Sequence, residues 1–189
     1  MIETEIKAFI GIEGTQKRAK TVEALGALGF RPECFCEEED RYYRAPDRDF
    51  RKTDEALRIR IHSENGESRA LVTYKGPKMD SESHMRHEVE VEIADSEAAA
   101  ELFDGLGYKS VFTVSKHREV YKRAGISVCL DDVKGLGFAV EIEKLISEDA
   151  SEAEKQSARE ELLLVLDELG ISRDSLTMET YLEMLLKKL

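Results

Sequence analysis

The feature that most constrains this chain is an alternation of charged residues in several short segments. In Glu3–Lys7 the two glutamates and the lysine occupy every second position, with Thr4 and Ile6 between them. Because alternate residues of a strand project from the same face, this pattern predicts a strand with one charged face. The pattern recurs in four later segments: Leu57–Ile61, Arg86–Val91, Lys116–Arg118 and Ala139–Glu143. Several such strands together indicate a shared polar surface suited to a charged ligand.

Length and composition limit the class of protein. With 189 residues, 41% hydrophobic and 36% charged, the chain fits one globular domain over residues 1–189. No apolar run approaches the ~20 residues that span a bilayer, and no signal sequence precedes the first strand, so we expect a cytoplasmic protein without a membrane partner. The net charge of −12 argues against nucleic acid as a partner but leaves room for a small anion.

Periodicity predicts both helices and strands. Apolar residues at helical spacing predict helices over Thr15–Leu28, Ser96–Leu106, Ser151–Leu169 and Thr177–Leu189. Strands are predicted over residues 2–10, 40–45, 56–63, 69–75, 86–93, 111–121, 126–131 and 138–145. The intervening segment Gly76–Met85, which contains proline and serine, is predicted to be a mobile loop.

These elements favour an α+β fold built on an eight-stranded antiparallel β-barrel, a tunnel with helices packed outside. The opposite faces of the charged strands are strongly apolar, and the amphipathic helices can cover them. A barrel of about eight strands has room for side chains or one small ligand. Part of the leucine-rich surface of the last helices could instead form a homodimer.

Charged residues of both signs would face the inside of this barrel. The predicted inward cations are Lys7, Arg58, Arg60, Lys75, Arg86, Lys116 and Arg118, and the predicted inward carboxylates are Glu3, Glu5, Glu88, Glu90, Asp131, Glu141 and Glu143. Buried charge must be paired or bound to a ligand. Two interpretations stay open on this basis: a site for a charged ligand, or structural strands joined by salt bridges.

An ordered set of motifs resembles the CYTH, or triphosphate tunnel metalloenzyme, family, and within it the class IV adenylyl cyclase-like branch. Glu3-x-Glu5-x-Lys7 is similar to that family's ExExK motif. Further matching segments follow in order: Asp40–Tyr43, Ala56–Arg60, Thr73–Pro77, Arg86–Glu90, Lys116–Arg118, Leu130–Gly137, Glu141–Glu143 and Thr180–Glu183. One departure is Phe138-Ala139, since relatives often place the aromatic residue one position later.

The resemblance implies roles for the charged residues. The triphosphate would contact Lys7, Arg58, Arg60, Lys75, Arg86, Lys116 and Arg118. A divalent metal, Mg²⁺ or Mn²⁺, would be bound by Glu3, Glu5, Asp131, Glu141 and Glu143. Supporting roles fall to Glu88 and Glu90, and the catalytic candidates are Lys7, Arg58, Arg118 and Glu143.

Two reactions fit such a tunnel, and both need cations on the phosphate oxygens and a metal. The resemblance favours a cyclase that converts ATP into cyclic AMP and pyrophosphate. The alternative is a triphosphatase acting on tripolyphosphate, thiamine triphosphate or a nucleoside triphosphate. A non-catalytic nucleotide or polyphosphate-binding protein is an alternative of a different class.

The cysteines and histidines give weaker signals. Cys34, Cys36 and Cys129 form neither a disulfide framework nor a four-ligand zinc pattern, so reduced thiols are the preferred interpretation. A metal or redox site at Cys34 and Cys36 remains an alternative. We expect His62 to lie on the apolar face of its strand and His84 to lie in the mobile loop.

Overall fold

A computed structural model describes residues 2–11, 14–79 and 83–189 of the chain. In these residues the strands form a closed antiparallel barrel with the neighbour order β1-β5-β4-β3-β2-β6-β7-β8. The strands are β1 (Ile2–Gly11), β2 (Arg31–Arg44), β3 (Ala56–Glu64), β4 (Glu67–Lys78), β5 (Arg86–Ile93), β6 (Lys109–Arg123), β7 (Ile126–Val133) and β8 (Gly137–Ile146). The predicted α+β class and eight-stranded antiparallel barrel are therefore confirmed.

Helices follow or connect these strands. They are α1 (Gly14–Ala27), α2 (Phe50–Thr53), α3 (Ser96–Gly105), α4 (Glu152–Glu168) and α5 (Tyr181–Leu186), and a 3-10 turn covers Arg173–Ser175. Three predicted helices match α1, α3 and α4 to within two residues, whereas the four-residue α2 was not predicted. None of the described helices combines the length and the apolar character that crossing a bilayer requires.

The predicted helix over Thr177–Leu189 is wrong, since the structure has a helix only over Tyr181–Leu186. The Thr177 amide donates to the carbonyl of Lys7, which attaches this segment to β1 in an extended form. A capping box then sets the helix start: the Thr180 hydroxyl accepts from the Glu183 amide, and the Glu183 carboxylate accepts from the Thr180 amide.

Strand β2 is much longer than the predicted strand over residues 40–45. Its whole length pairs with β6, and its second half also pairs with β3. Cys36, Glu38 and Asp40 are buried, while Glu37 and Glu39 between them are exposed. The run of three glutamates hid this alternation, because an unbroken charged run suggests a solvated loop.

The main apolar core lies outside the barrel wall, between β1, β7 and β8 and the helices α1 and α4. Ile6, Val128 and Val140 contribute from the strands, and Leu162 and Leu166 from α4. Ile6 lies between Glu5 and Lys7 in sequence, so the alternation that buries it against a helix turns its charged neighbours inward. The helices thus cover the apolar side of the strands and leave the charged side to line the interior.

The predicted mobile loop Gly76–Met85 is partly structured. Gly76–Lys78 belongs to the end of β4, and residues 80–82 lie outside the described part of the chain. Ser83, His84 and Met85 are buried, and the His84 amide donates to the Glu5 carbonyl at 2.8 Å. The structure therefore corrects the boundaries of the loop, since Gly76–Lys78 is strand and His84 is hydrogen-bonded to β1, while its mobility stays a prediction.

Candidate functional site

The inner faces of the strands enclose a cavity of about 2040 Å³. Every residue predicted for the site lines this cavity, with the exception of Asp131. The ExExK motif lies in β1 and Glu141–Glu143 lies in β8. These two strands pair directly, with Glu5 opposite Glu143 and Lys7 opposite Glu141. The barrel therefore brings together residues that are more than a hundred positions apart.

Three carboxylates form a compact group, which we call the acidic trio: Glu3, Glu5 and Glu143. One oxygen from each lies within 4.8 Å of the others. Glu5 and Glu143 are direct partners across the β1–β8 pair, which fixes their proximity. Burial, followed by the neighbouring Glu3 carboxylate, raises the pKa of Glu143 to about 8. Clustered buried carboxylates are relieved by a hard divalent cation, so the trio fits Mg²⁺ or Mn²⁺.

Lys7 lies between Glu5 of the acidic trio and Glu141. Its Nζ lies 3.3 Å from a Glu5 oxygen and 3.1 Å from a Glu141 oxygen. Burial alone would lower the pKa of Lys7, but the two carboxylates more than offset burial and raise it. The ammonium group is thus charged and positioned beside the carboxylates that would hold a metal.

Arg58 and Arg60 project from β3 toward Asp40 on β2. Arg58 Nη1 lies 3.1 Å and Arg60 Nε 2.6 Å from the Asp40 carboxylate. Glu38, two residues earlier, forms ion pairs: its Oε2 lies 2.9 Å from Lys116 Nζ and 3.1 Å from Arg60 Nη2. Although burial opposes it, these cations lower the pKa values of Glu38 and Asp40, so both stay ionised.

Glu38 and Asp40 are cavity residues that the sequence patterns do not predict. Asp40 falls in a matched motif without an assigned role, and Glu38 precedes the predicted strand over residues 40–45. The alternation of Cys36, Glu38 and Asp40 was the signal that could have identified them, had β2 been extended toward its true start at Arg31.

Arg118 has a different set of partners. Its Nε and Nη2 donate to the two oxygens of Asp131 at 2.7 and 2.6 Å, and Nη2 also contacts Glu141. Asp131 is fully buried and accepts a third hydrogen bond from the Tyr181 hydroxyl at 2.8 Å. The structure therefore places Asp131 and Glu141 as partners of cations and not within the acidic trio; their role as metal ligands stays a prediction.

Lys75 of β4 forms ion pairs with carboxylates of β1 and β5. Its Nζ lies 2.5 Å from Glu3 and 2.8 Å from Glu88, so Glu88 helps to position a predicted phosphate contact. Glu90 is exposed and accepts a hydrogen bond from the Thr73 hydroxyl at 2.9 Å. Its location fits a supporting role at the edge of the cavity better than a ligand contact.

Two buried guanidinium groups keep unused donors. Arg86 is 3% exposed, and its Nη2 has no hydrogen-bond partner in the described structure, the Asp54 carboxylate being 3.8 Å away. Arg58 Nε is likewise unsatisfied among the described residues. Leaving buried donors unpaired is unfavourable, so both atoms are suited to bind an anion that enters the cavity.

The histidine expectations need one correction. His62 lies on the charged inner face of β3, the face that also carries Arg60. Its Nδ1 is 3.2 Å from Glu38 Oε1. The expected apolar face was wrong because His62 is two residues from Arg60, the even spacing that keeps residues on one face. His84 is buried, and its Nε2 lies 3.0 Å from the Thr177 carbonyl oxygen.

Known proteins resemble this chain over most of its length, in sequence and in fold. A family model described as the CYTH domain matches residues 1–181. "Putative adenylate cyclase MJ0240" of Methanocaldococcus jannaschii is 45% identical over 184 residues, covering 97% of this chain and 98% of that protein. Adenylate cyclase CyaB of Aeromonas hydrophila is 31% identical over 161 residues, covering 84% of this chain and 78% of that protein. The solved structure of the PH1819 protein from Pyrococcus horikoshii OT3 shares 41% identity and a TM-score of 0.87, with 99% of each chain covered. This chain belongs to the CYTH domain family.

Proposed function

We propose that this protein is a divalent-metal-dependent enzyme that acts on a triphosphate, and that it converts ATP into cyclic AMP and pyrophosphate. The observation that carries the proposal is the arrangement of the cavity wall. The acidic trio lies beside Lys7, while buried arginines with unused donors, Arg58 and Arg86, project into the same space. Carboxylates for a metal and cations for phosphates are the two halves of a metal–triphosphate site.

The side chains divide the work of binding. Lys7, Arg58 and Arg86 would contact phosphate oxygens directly, and Arg118 would do so from an orientation fixed by Asp131. A divalent cation bound at the acidic trio would neutralise charge that develops on the phosphate oxygens. Tyr181, which also lines the cavity, holds Asp131 through the hydrogen bond from its hydroxyl. Pre-oriented charges of this kind stabilise a transition state without further rearrangement.

In the proposed reaction the ribose 3′-oxygen of ATP forms a bond to the α-phosphorus. The bond from that phosphorus to the oxygen bridging the α- and β-phosphates breaks, and pyrophosphate leaves. The hydroxyl proton passes to a carboxylate of the acidic trio. Glu143 is the acceptor that we propose, and its carboxyl must be ionised for this step.

The family relationship supports this choice of reaction. Two relatives that match most of the chain carry the name adenylate cyclase. We also propose that the protein works in the cytoplasm as a small-molecule enzyme, without a nucleic-acid partner. The net charge of −12 argues against a nucleic-acid partner. The burial of the cavity cations argues the same way, because they do not form an exposed basic patch.

A triphosphatase is the second candidate function. Most buried inward positions of β1, β3 and β6 are ionisable, namely Glu5, Lys7, Arg58, Arg60, His62, Lys116 and Arg118. Such groups recognise phosphate and not a purine, so the described wall specifies the triphosphate more strongly than its organic group. Water could replace the ribose hydroxyl as nucleophile in the same charged setting.

Product identification tests the proposal. Purified protein would be incubated with ATP, tripolyphosphate or thiamine triphosphate, each with Mg²⁺ or Mn²⁺, and the products separated by chromatography and mass spectrometry. Cyclic AMP and pyrophosphate from ATP are the expected products. Release of only ADP or inorganic phosphate would overturn the cyclase in favour of the triphosphatase. Tight binding of a triphosphate without any metal-dependent turnover would overturn both in favour of a binding protein.

A further inference from the structure

A second group of metal-ligating side chains lies on the inner face of β2 and β3, apart from the acidic trio. It contains Cys36, Glu38 and His62, with one ligand atom from each within 4.8 Å of the others. All three residues are buried. The register explains the grouping, since Glu38 is the direct partner of His62, and Cys36 is the partner of Glu64, two residues further along β3.

His62 has an unused ring nitrogen. Nδ1 lies 3.2 Å from Glu38 Oε1, whereas Nε2 has no hydrogen-bond partner among the described residues. The Glu64 carboxylate lies 3.9 Å from Nε2, which is beyond hydrogen-bond distance. The His62 side chain is 10% exposed, so this nitrogen is a buried polar atom that needs a partner.

Cys34 and Glu64 extend the group toward solvent. Cys34 is half-buried and lines the cavity together with Glu38, His62 and Glu64. It lies close enough to Cys36 to affect the pKa of that thiol. Glu38 and His62 line the cavity, so an ion would approach the group from that side, past Cys34 and Glu64, which can themselves act as ligands.

We propose that Cys36, Glu38 and His62 form a binding site for a thiophilic divalent cation of the Zn²⁺ class, with Cys34 or Glu64 available as a fourth ligand. The donor set decides the class of ion. Thiolate and imidazole select zinc-like ions, whereas the all-carboxylate acidic trio selects Mg²⁺ or Mn²⁺.

The separation of the ligand atoms is compatible with such an ion. Ligands at about 2.0–2.3 Å from a tetrahedral zinc ion lie about 3.3–3.8 Å from one another. The observed limit of 4.8 Å requires a contraction that small side-chain rotations can supply. The contraction keeps the backbone pairing of β2 and β3 intact.

The cations around Glu38 affect how strongly the proposed site binds a metal ion. Lys116 and Arg60 contact its carboxylate and lower its pKa, against burial, which keeps the carboxylate ionised and able to bind a cation. The same two cations, with Arg118 at 4.0 Å, repel an incoming metal. Burial and Glu38 raise the pKa of Cys36 to about 12, so the metal must displace the thiol proton. Binding should therefore release a proton and strengthen as the pH rises.

Metal titration of the whole chain, without any triphosphate, tests this site independently of the proposed enzymatic activity. Zn²⁺ would be titrated against a chromophoric chelator in excess Mg²⁺, and Co²⁺ binding would be followed by its thiolate charge-transfer absorption. We expect one Zn²⁺ per chain and a thiolate–cobalt band. Cys36→Ser and His62→Gln should each weaken Zn²⁺ binding by about tenfold or more, and Cys36→Ser should remove the band.

Matched variants keep the test decisive. Cys129→Ser removes another buried thiol of the inner face, 3.8 Å from Glu143, and should leave Zn²⁺ binding unchanged. His62→Cys supplies a different ligand at the same position and should retain Zn²⁺ binding even if His62→Gln fails to fold. The proposal would be overturned if Zn²⁺ binding survived in Cys36→Ser, or if Glu3→Gln with Glu143→Gln abolished it, because the acidic trio would then be the site.

Discussion

Most buried carboxylates of the cavity have a cation beside them, and Glu143 does not. Asp40, Glu38 and Glu141 each have cations beside them, and those cations lower the pKa values of all three carboxylates against burial. Among the described residues, Glu143 has no cation within 4.0 Å, and burial raises its pKa to about 8. The Glu143 carboxyl therefore holds a proton below about pH 8, and a divalent cation bound at the acidic trio would displace that proton.

The Glu143 carboxyl predicts a pH dependence. Its folded-state pKa of about 8 exceeds the ordinary 4.5, so the native state holds a proton that the unfolded state releases between these values. This group's contribution to stability is present below about pH 4.5 and is lost as the pH rises through 8. Mg²⁺ binds the ionised carboxylate, and its stabilising effect should grow over the same interval.

Thermal melts at about pH 6 and pH 9, with and without Mg²⁺, measure this effect. The rise in Tm caused by Mg²⁺ should be larger at the higher pH. Glu143→Gln, which keeps the shape but not the charge, should reduce that difference. Equal Mg²⁺ effects at both pH values in the unaltered protein would contradict the assignment of Glu143 to the metal site.

Asp131 predicts a second effect, on the orientation of Arg118. Asp131→Asn removes one of the two carboxylates that contact the buried Arg118 guanidinium, so we expect a loss of up to about 3–5 kcal/mol in the free energy of unfolding. Turnover should also fall, because Arg118 loses its fixed orientation. Asp132→Asn, the exposed neighbour on β7, is the matched control. If both variants unfolded at the same denaturant concentration, Asp131 would not hold the role that its three hydrogen bonds indicate.

Among the elements, the strands with clean alternation were predictable and β2 was not. The charged positions of β1, β3 and β8 are separated by apolar residues, so the sequence predicted both the strands and the inward faces. In β2 the outward residues Glu37 and Glu39 are charged as well, and the period of two disappears from the charge pattern. Glu38 is the glutamate in phase with Cys36 and Asp40, and the pairing of β2 with β6 and β3 shows that this phase is the buried one.

Helix α5 is a second element whose bounds the local sequence pattern does not predict. Its leucines suggested a helix over Thr177–Leu189, but tertiary hydrogen bonds confine it to six residues, Tyr181–Leu186. The shortening has a consequence for the site. Tyr181 lies at the first position of α5, where its ring contacts Lys7 Nζ at 4.6 Å from the centroid and its hydroxyl reaches Asp131.

Tyr181→Phe tests this attachment of α5 to the barrel. The change removes the hydrogen bond to Asp131 and keeps the ring beside Lys7, so we expect a loss of about 1.5–3 kcal/mol in unfolding free energy. Tyr181→Ala should be more destabilising, since it also removes the buried ring. Denaturant melts of the two variants measure the difference. An unchanged melt for Tyr181→Phe would show that the hydroxyl contributes nothing to holding α5.

The complete barrel explains how an acidic protein can hold a polyanion. The chain carries a net charge of −12, yet Lys7, Arg58, Arg86, Lys116 and Arg118 are enclosed in one cavity. Closure of the sheet brings β1 beside β8 and places these cations opposite the acidic trio. Motif resemblance predicted the content of this cavity, whereas the pairing partners of each cation required the structure.

Calorimetric titration with tripolyphosphate in the presence of Mg²⁺ tests most directly whether the cavity holds a triphosphate. The unaltered protein should bind one tripolyphosphate per chain. Lys7→Ala should weaken binding by about tenfold or more, since a buried charge-assisted contact is lost, while Lys20→Ala, an exposed lysine of α1, should bind normally. Equal affinity in the Lys7→Ala and Lys20→Ala variants would contradict the account, because the ligand would then bind elsewhere.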